Sequence, residues 1–160
     1  MKLELVFGYD RKEDVKTLFN EYTQMLIEGD LLFAEYLALQ SYDHELENLE
    51  DKYGLPHGRL YLAYLDGALA GCVALKPIDE WGCELKRLYV RPEYRKTGLG
   101  KYLAKKIIDD AREIGYGSIL LDTLPFLNAA IELYKKLGFD EIPRWNNSPM
   151  DTSIYMKLDL

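Results

Sequence analysis

The run Arg95-Lys96-Thr97-Gly98-Leu99-Gly100 spaces one arginine and two glycines as R-x-x-G-x-G, between an apolar strand-like segment, Leu85 to Val90, and an amphipathic helix. Glycine lets a phosphate come close to main-chain N–H groups, and the start of the helix adds free donors and the positive end of a dipole. The run also lies in a basic stretch of an acidic chain. From Lys86 to Lys106 eight basic residues face the single acid Glu93, while the chain as a whole carries a net charge of −7. This segregation predicts a site for a phosphorylated anion.

The helix after the run supports that expectation. Leu99, Leu103, Ile107, Ala111 and Ile114 recur at helical spacing, so Gly98 to Gly115 reads as a helix with one buried stripe. Its charges run against the helix dipole: Lys101, Lys105 and Lys106 come early and Asp109, Asp110 and Glu113 late. Each position costs a few tenths of a kcal/mol up to about one. Pairing of Lys105 with Asp109 and Lys106 with Asp110 recovers part of this. A solvated charged face accounts for the lysines but leaves the two glycines at the helix mouth unexplained.

These elements belong to one ordinary globular domain, expected over residues 1–160, with 48% hydrophobic residues to build a core. No apolar run is long enough to span a membrane, and Met1-Lys2-Leu3-Glu4 starts an alternating strand, so a cytoplasmic location without membrane attachment is expected. Cys72 and Cys83 have no C-x-x-C spacing and read as buried free thiols. His44 and His57 have no companion ligand at a metal-binding spacing, so no metal is expected. The acidic balance argues against a nucleic-acid partner, although the basic window alone resembles such a patch.

Along the chain, Leu3 to Phe7 reads as a strand, and Asp10 with Glu13 reads as a capping box opening a helix that ends at Gly29-Asp30. Leu31 to Tyr53 reads as helix in two pieces. Leu60 to Leu65 and Leu69 to Leu75 flank Asp66-Gly67, a strong hairpin signal. Strands follow at Cys83 to Val90 and Ser118 to Thr123, then a helix from Asn128 to Leu137 closed by Gly138, and strands at Phe139 to Ile142 and Thr152 to Leu158. Pro143 to Pro149 is a turn-rich loop.

Spacing excludes two other phosphate-binding turns. Gly98-Leu99-Gly100-Lys101-Tyr102 lacks the G-x-x-x-x-G-K-[ST] of a Walker loop, and no third glycine completes a dinucleotide-binding G-x-G-x-x-G. What remains, R-x-x-G-x-G after a strand ending in Leu-Tyr-Val, resembles the GNAT superfamily of acyl-CoA-dependent N-acyltransferases. The resemblance is close from Glu84 to Phe139. There Glu-Leu-Lys-Arg-Leu-Tyr-Val-Arg-Pro-Glu-Tyr-Arg precedes the turn and Asn-Ala-Ala-Ile-Glu-Leu-Tyr-Lys-Lys-Leu-Gly-Phe follows it. The first half of the chain matches only in its order of elements.

The resemblance implies an α/β fold: a mixed, mostly antiparallel sheet of about six to seven strands, about four flanking helices and a splayed central parallel pair. It implies acetyl-CoA as co-substrate. The pyrophosphate of coenzyme A would meet the main chain of Lys96, Thr97, Gly98, Leu99 and Gly100, with Arg95, Lys96 and Lys101 adding side-chain contacts. Its pantetheine arm would pair with the main chain of Leu88, Tyr89 and Val90. No single face of Leu85 to Val90 carries all the apolar residues, as in a bulged or two-sided strand.

Tyr134 matches the tyrosine that family members place beside the sulfur, an acid for the departing thiolate, and it is also spaced as a core aromatic. Asn128 resembles the asparagine that contacts the cofactor arm and stands where a helix cap would. Glu84, eleven positions before Arg95, has the spacing of a catalytic glutamate of lysine-acetylating members. It reads equally as a strand-end carboxylate paired with Lys86 or Arg87. Asp122 reads as an end-of-strand hydrogen-bonder.

The expected activity is direct acetyl transfer from acetyl-CoA to a primary amine of a small molecule, protein or peptide, through a tetrahedral intermediate. A homodimer is compatible with the chain. A non-catalytic acyl-CoA-binding sensor is the alternative. Acceptor walls are expected from the first two helices and the loop Arg144 to Pro149, with Tyr36, Tyr42 and Tyr64 either lining a cleft or filling the core.

Overall fold

Asp66 and Gly67 both adopt positive φ, 50° and 84°, the backbone of a two-residue I′ turn whose twist suits a hairpin. The strands it joins, β2 (Arg59–Leu65) and β3 (Ala68–Pro77), pair antiparallel, and β1 (Leu3–Phe7) adds to the free side of β2 with Leu3 opposite Leu65. The computed structural model describes residues 2–160; Met1, placed by the sequence at the head of the first strand, lies outside them.

Four more strands complete a seven-stranded sheet in the order β1-β2-β3-β4-β5-β7-β6. They are β4 (Gly82–Val90), β5 (Ser118–Thr123), β6 (Asp140–Ile142) and β7 (Ile154–Asp159). All neighbours are antiparallel except β4 and β5. A parallel pair needs a crossover, which α5 (Leu99–Ile114) supplies, ending at Gly115 in the left-handed conformation.

Alternation along β2 shows how the sheet is covered on both faces. Leu60, Leu62 and Tyr64 pack with Val15, Leu18 and Phe19 of α1 (Lys12–Gly29). Tyr61, Ala63 and Leu65 pack with Leu103, Ile107 and Ala111 of α5. Each fully buried Leu or Ile contributes about 1.5–3 kcal/mol. On the α5 face lies α6 (Asn128–Lys136). A third cluster, Leu26, Phe33, Tyr36, Leu37, Leu124 and Met150, joins the end of α1 to the segment after β5.

Several expectations need correction. Leu31 to Tyr53 forms three short helices rather than two pieces: α2 (Phe33–Leu39), α3 (Tyr42–Glu47) and α4 (Leu49–Tyr53). Ser41 with φ 55° and Asn48 at φ −133° break the runs, so the described residues hold six α-helices instead of about four. The Asp10–Glu13 capping box is absent. Arg11 is the N-cap and makes no side-chain cap bond, because the chain first turns through a bond from the Arg11 amide to the Gly8 carbonyl. Asn128 is not a cap either; it is the first residue of α6, preceded by Leu127 at the cap position. Lys106 pairs with Asp110 at 3.1 Å as expected, whereas Asp109 faces Arg112 at 3.8 Å. Both cysteines are buried free thiols. No helix among the described residues is long and apolar enough to cross a membrane.

Candidate active site

The parallel pair is joined at one end only. β4 and β5 are in register from Gly82 opposite Ser118 to Glu84 opposite Leu120, and beyond Glu84 the strands part. The cause is a bulge in β4. Between the pairs Cys72 with Tyr89 and Ala74 with Lys86, Arg87 and Leu88 oppose the single residue Val73. The extra residue bends the strand away from its neighbour, and Arg87 takes φ 58° to accommodate it. That conformation costs a non-glycine residue about 1–2 kcal/mol.

Arg87 is held there. Its Nε and Nη2 each donate to the Glu45 carboxylate at 2.8 Å, which also accepts from Lys52 Nζ and the Tyr53 hydroxyl, both at 2.8 Å. Burial alone would raise the Glu45 carboxyl; the Arg87 guanidinium and Lys52 outweigh it and hold it down at about 2.

Where the strands part, a cleft of about 470 Å³ opens. It is lined by Leu88, Tyr89 and Val90 of β4, Gly100 of α5 and Asn128 and Tyr134 of α6, together with Met25, Tyr36, Gln40, Lys86 and Asp122. The glycine-rich turn forms its rim. Lys96 and Gly98 adopt φ 64° and 88°, and Thr97 ties the turn by donating from its hydroxyl to the Tyr94 carbonyl at 2.6 Å and accepting from the Leu99 amide at 3.4 Å. The amides of Gly98, Gly100 and Lys101 have no protein partner among the described residues. Gly100 lines the cleft, and a Cβ there would lie 3.9 Å from Leu133 and Val90, in ordinary contact.

The sequence-predicted residues divide accordingly. Leu88, Tyr89, Val90, Arg95, Gly100, Asn128 and Tyr134 line the cleft. Lys96, Thr97, Gly98 and Lys101 are not among its lining residues and flank Arg95 and Gly100, which are; the Leu99 side chain enters the core at 5% exposure. Arg95 lies across the opening: its Nε donates to the Val90 carbonyl at 3.0 Å, its guanidinium stands over the Tyr89 ring, and Nη2 reaches Met25 Sδ at 3.8 Å. Tyr134 is 6% exposed against Phe139, with no hydrogen bond to its hydroxyl among the described residues. Burial pushes its phenol up, so the hydroxyl keeps its proton through neutral pH.

Glu84 stands at the apex, in the last pair before the strands separate, 4% exposed and not part of the cleft wall. Burial raises its carboxyl, opposed by Lys86, whose Nζ is 4.0 Å away. Lys86 and Gln40 of the cleft wall carry no motif signal beyond a charge inside an apolar strand. Burial lowers the Lys86 ammonium to about 8 against the pull of Glu84. Asp122 is the end-of-strand hydrogen-bonder its position indicates, accepting from the Tyr36 hydroxyl at 2.5 Å and Asn146 Nδ2 at 3.3 Å. Of the three tyrosines weighed for the cleft, Tyr36 lines it, while Tyr42 and Tyr64 pack in the α1 cluster. The Arg144 to Pro149 loop reaches the site through Asn146 alone, which Tyr155 holds at 3.0 Å.

Comparison with known proteins gives the family and the fold. A family model described as Acetyltransferase (GNAT) family matches residues 18–139. An uncharacterised N-acetyltransferase of Schizosaccharomyces pombe is 41% identical over 150 residues, covering 92% of this chain and 88% of its own. An acetyltransferase from Streptococcus agalactiae superposes with TM-score 0.78 at 22% identity, over 99% of this chain and 98% of its own. An N-acetyltransferase from Thermoplasma acidophilum in complex with coenzyme A superposes with TM-score 0.74 at 20% identity over 100% of both.

Proposed function

Since the chain belongs to the GNAT family of acetyltransferases and is an acetyl-CoA-dependent N-acetyltransferase, we propose that residues 1–160 act as one domain that passes the acetyl group directly to a primary amine within the β4–β5 cleft. The observation that carries this is the opened strand pair: a bulged β4 edge, a rim of unpaired amides and the Tyr134 phenol meet in one cleft.

The residues present suit coenzyme A. Unpaired amides at Gly98, Gly100 and Lys101, flanked by the Lys96 and Lys101 side chains, form an anion-binding concavity at a helix start. The β4 main chain from Leu88 to Val90 lacks a β5 partner and offers groups to an amide-bearing arm. Arg95, whose Nε now donates to the Val90 carbonyl, would have to release it for the arm to pair there and would then be free to meet phosphate.

The bound thioester supplies an electrophilic acetyl carbon and a leaving sulfur. The acceptor enters from the Met25 and Tyr36 side, and its ammonium must first lose a proton. Glu84 receives it through a water, its carboxyl raised by burial toward the range where a base works best at neutral pH. The amine nitrogen then bonds to the acetyl carbon to give the tetrahedral intermediate; the nitrogen sheds its second proton to water, the carbon–sulfur bond breaks, and Tyr134 donates its hydroxyl hydrogen to the sulfur and regains a proton from solvent as the product leaves. A covalent enzyme intermediate has little support: neither cysteine lines the cleft, and burial pushes both thiols up to about 12.

A thiol-release screen of acetyl-CoA against small amines and peptides tests the reading. Thiol release that depends on an acceptor and drops in Tyr134→Phe supports it; release no faster than hydrolysis with every acceptor rejects it.

A further inference from the structure

The cleft holds polar side chains whose hydrogen-bonding capacity the protein does not use. Lys86 Nζ has three donors. Its one hydrogen bond goes to Gln40 Oε1 at 2.9 Å, an oxygen shared with Arg87 Nη2 at 3.0 Å. Its nearest carboxylate oxygen, on Glu84, is 4.0 Å away, beyond hydrogen-bond reach. The Lys86 side chain is only 9% exposed, and it lines the cleft. A buried ammonium with one shared neutral acceptor is under-satisfied. The two cationic donors also fix the Gln40 amide with its oxygen toward them, and Nε2, on a residue that itself lines the cleft, has no partner among the described residues.

The β5 side has the opposite polarity. Asp122 Oδ2 is held by Tyr36 and Asn146, both neutral, and Oδ1 accepts no bond among the described residues. No cation comes within 4 Å of this carboxylate among the described residues. Met25, Leu26 and Phe33, which also line the cleft, are apolar.

Resting on the acetyltransferase reading, we propose that the acceptor is a free amino acid with an apolar side chain. Its carboxylate meets Lys86 Nζ and Gln40 Nε2, its ammonium meets Asp122 Oδ1, and its side chain packs on Met25, Leu26 and Phe33. A peptide N-terminus or a simple amine leaves Lys86 with only its shared bond to Gln40 and the Glu84 oxygen at 4.0 Å, and a site built around a polar group rejects analogues that lack it. The low ammonium value of Lys86 agrees, because an incoming carboxylate restores the charge that burial disfavours.

The test is thiol release from acetyl-CoA at pH 7 with the common free amino acids, then with the C-terminal amide and the decarboxylated amine of the best one. The amine of the amide is less basic, so more of it is neutral at pH 7; intrinsic reactivity favours the amide, and a preference for the acid must come from the protein. The expected kcat/KM for the amino acid exceeds both counterparts by about tenfold or more. Lys86→Gln abolishes the preference for the acid over its amide, with acetyl-CoA affinity by calorimetry unchanged. Equal or faster turnover of the amide or amine overturns the proposal, as does a preference that survives Lys86→Gln. If acetyl-CoA binds and no amino acid is acetylated above hydrolysis, the acceptor proposal fails and the family activity stands. If acetyl-CoA does not bind, the donor reading itself fails.

Discussion

Arg87, the one β4 residue with positive φ, is gripped by Glu45 through two parallel hydrogen bonds of 2.8 Å from Nε and Nη2. The pair joins α3 to the bulge that parts β4 from β5. A helix outside the sheet thereby holds the strained residue on which the cleft depends.

Glu45→Gln leaves the buried Arg87 guanidinium without its counter-charge. Removing one partner of a buried pair costs about 3–5 kcal/mol. Urea unfolding should show that loss as a lower midpoint with an unchanged slope.

The same pair sets an acid limit. The Glu45 carboxyl sits at about 2 when folded, below its ordinary 4.5. Its contribution is therefore fully present above pH 4.5 and is lost as pH falls from there toward 2. Melting temperatures across that window should fall in the parent chain, and part of the fall should vanish in Glu45→Gln.

Tyr134→Phe removes one hydroxyl and keeps the ring that packs on Phe139. The expected result is a kcat lower by about a hundredfold, with the KM for acetyl-CoA little changed. A matching rise in KM would point instead to a packing role.

Glu84→Gln tests the base. Activity in the parent should climb with pH as the carboxyl, raised by burial, loses its proton. The substitution should lower kcat and remove the part of the rise that belongs to this carboxyl, leaving the part set by the acceptor's own amine, while acetyl-CoA binding persists.

Gly98→Ala meets no atom within 4 Å, yet the residue stands at φ 88°. The added methyl group costs about 1–2 kcal/mol of conformational energy. We expect a higher KM for acetyl-CoA with kcat nearly preserved, measured by saturation kinetics.

The elements most legible in the sequence are those that local chemistry specifies. Asp66-Gly67 announces its turn because both residues must take positive φ, and Gly98 announces the rim for the same reason. Ser118 to Thr123 is a strand at those same bounds. The parts that escaped are long-range. Glu45 lies 42 residues from Arg87 and Tyr36 lies 86 from Asp122, and neither partner bears a local mark of the other. The Leu31 to Tyr53 region breaks into three helices because Ser41 and Asn48 leave helical geometry, and neither is a glycine or proline that would flag it.

A sheet ordinarily has two margins, and this one has a third. Beyond Glu84 the inner side of β4 is an unpaired border in the middle of the sheet. A ligand that pairs with it becomes in effect an eighth strand, part of the architecture for as long as it stays. Occupancy and folding are then one equilibrium: at about 100 times its dissociation constant such a ligand adds about 2.7 kcal/mol to the folded state. The chain is at its firmest while at work and loosens each time it lets its product go.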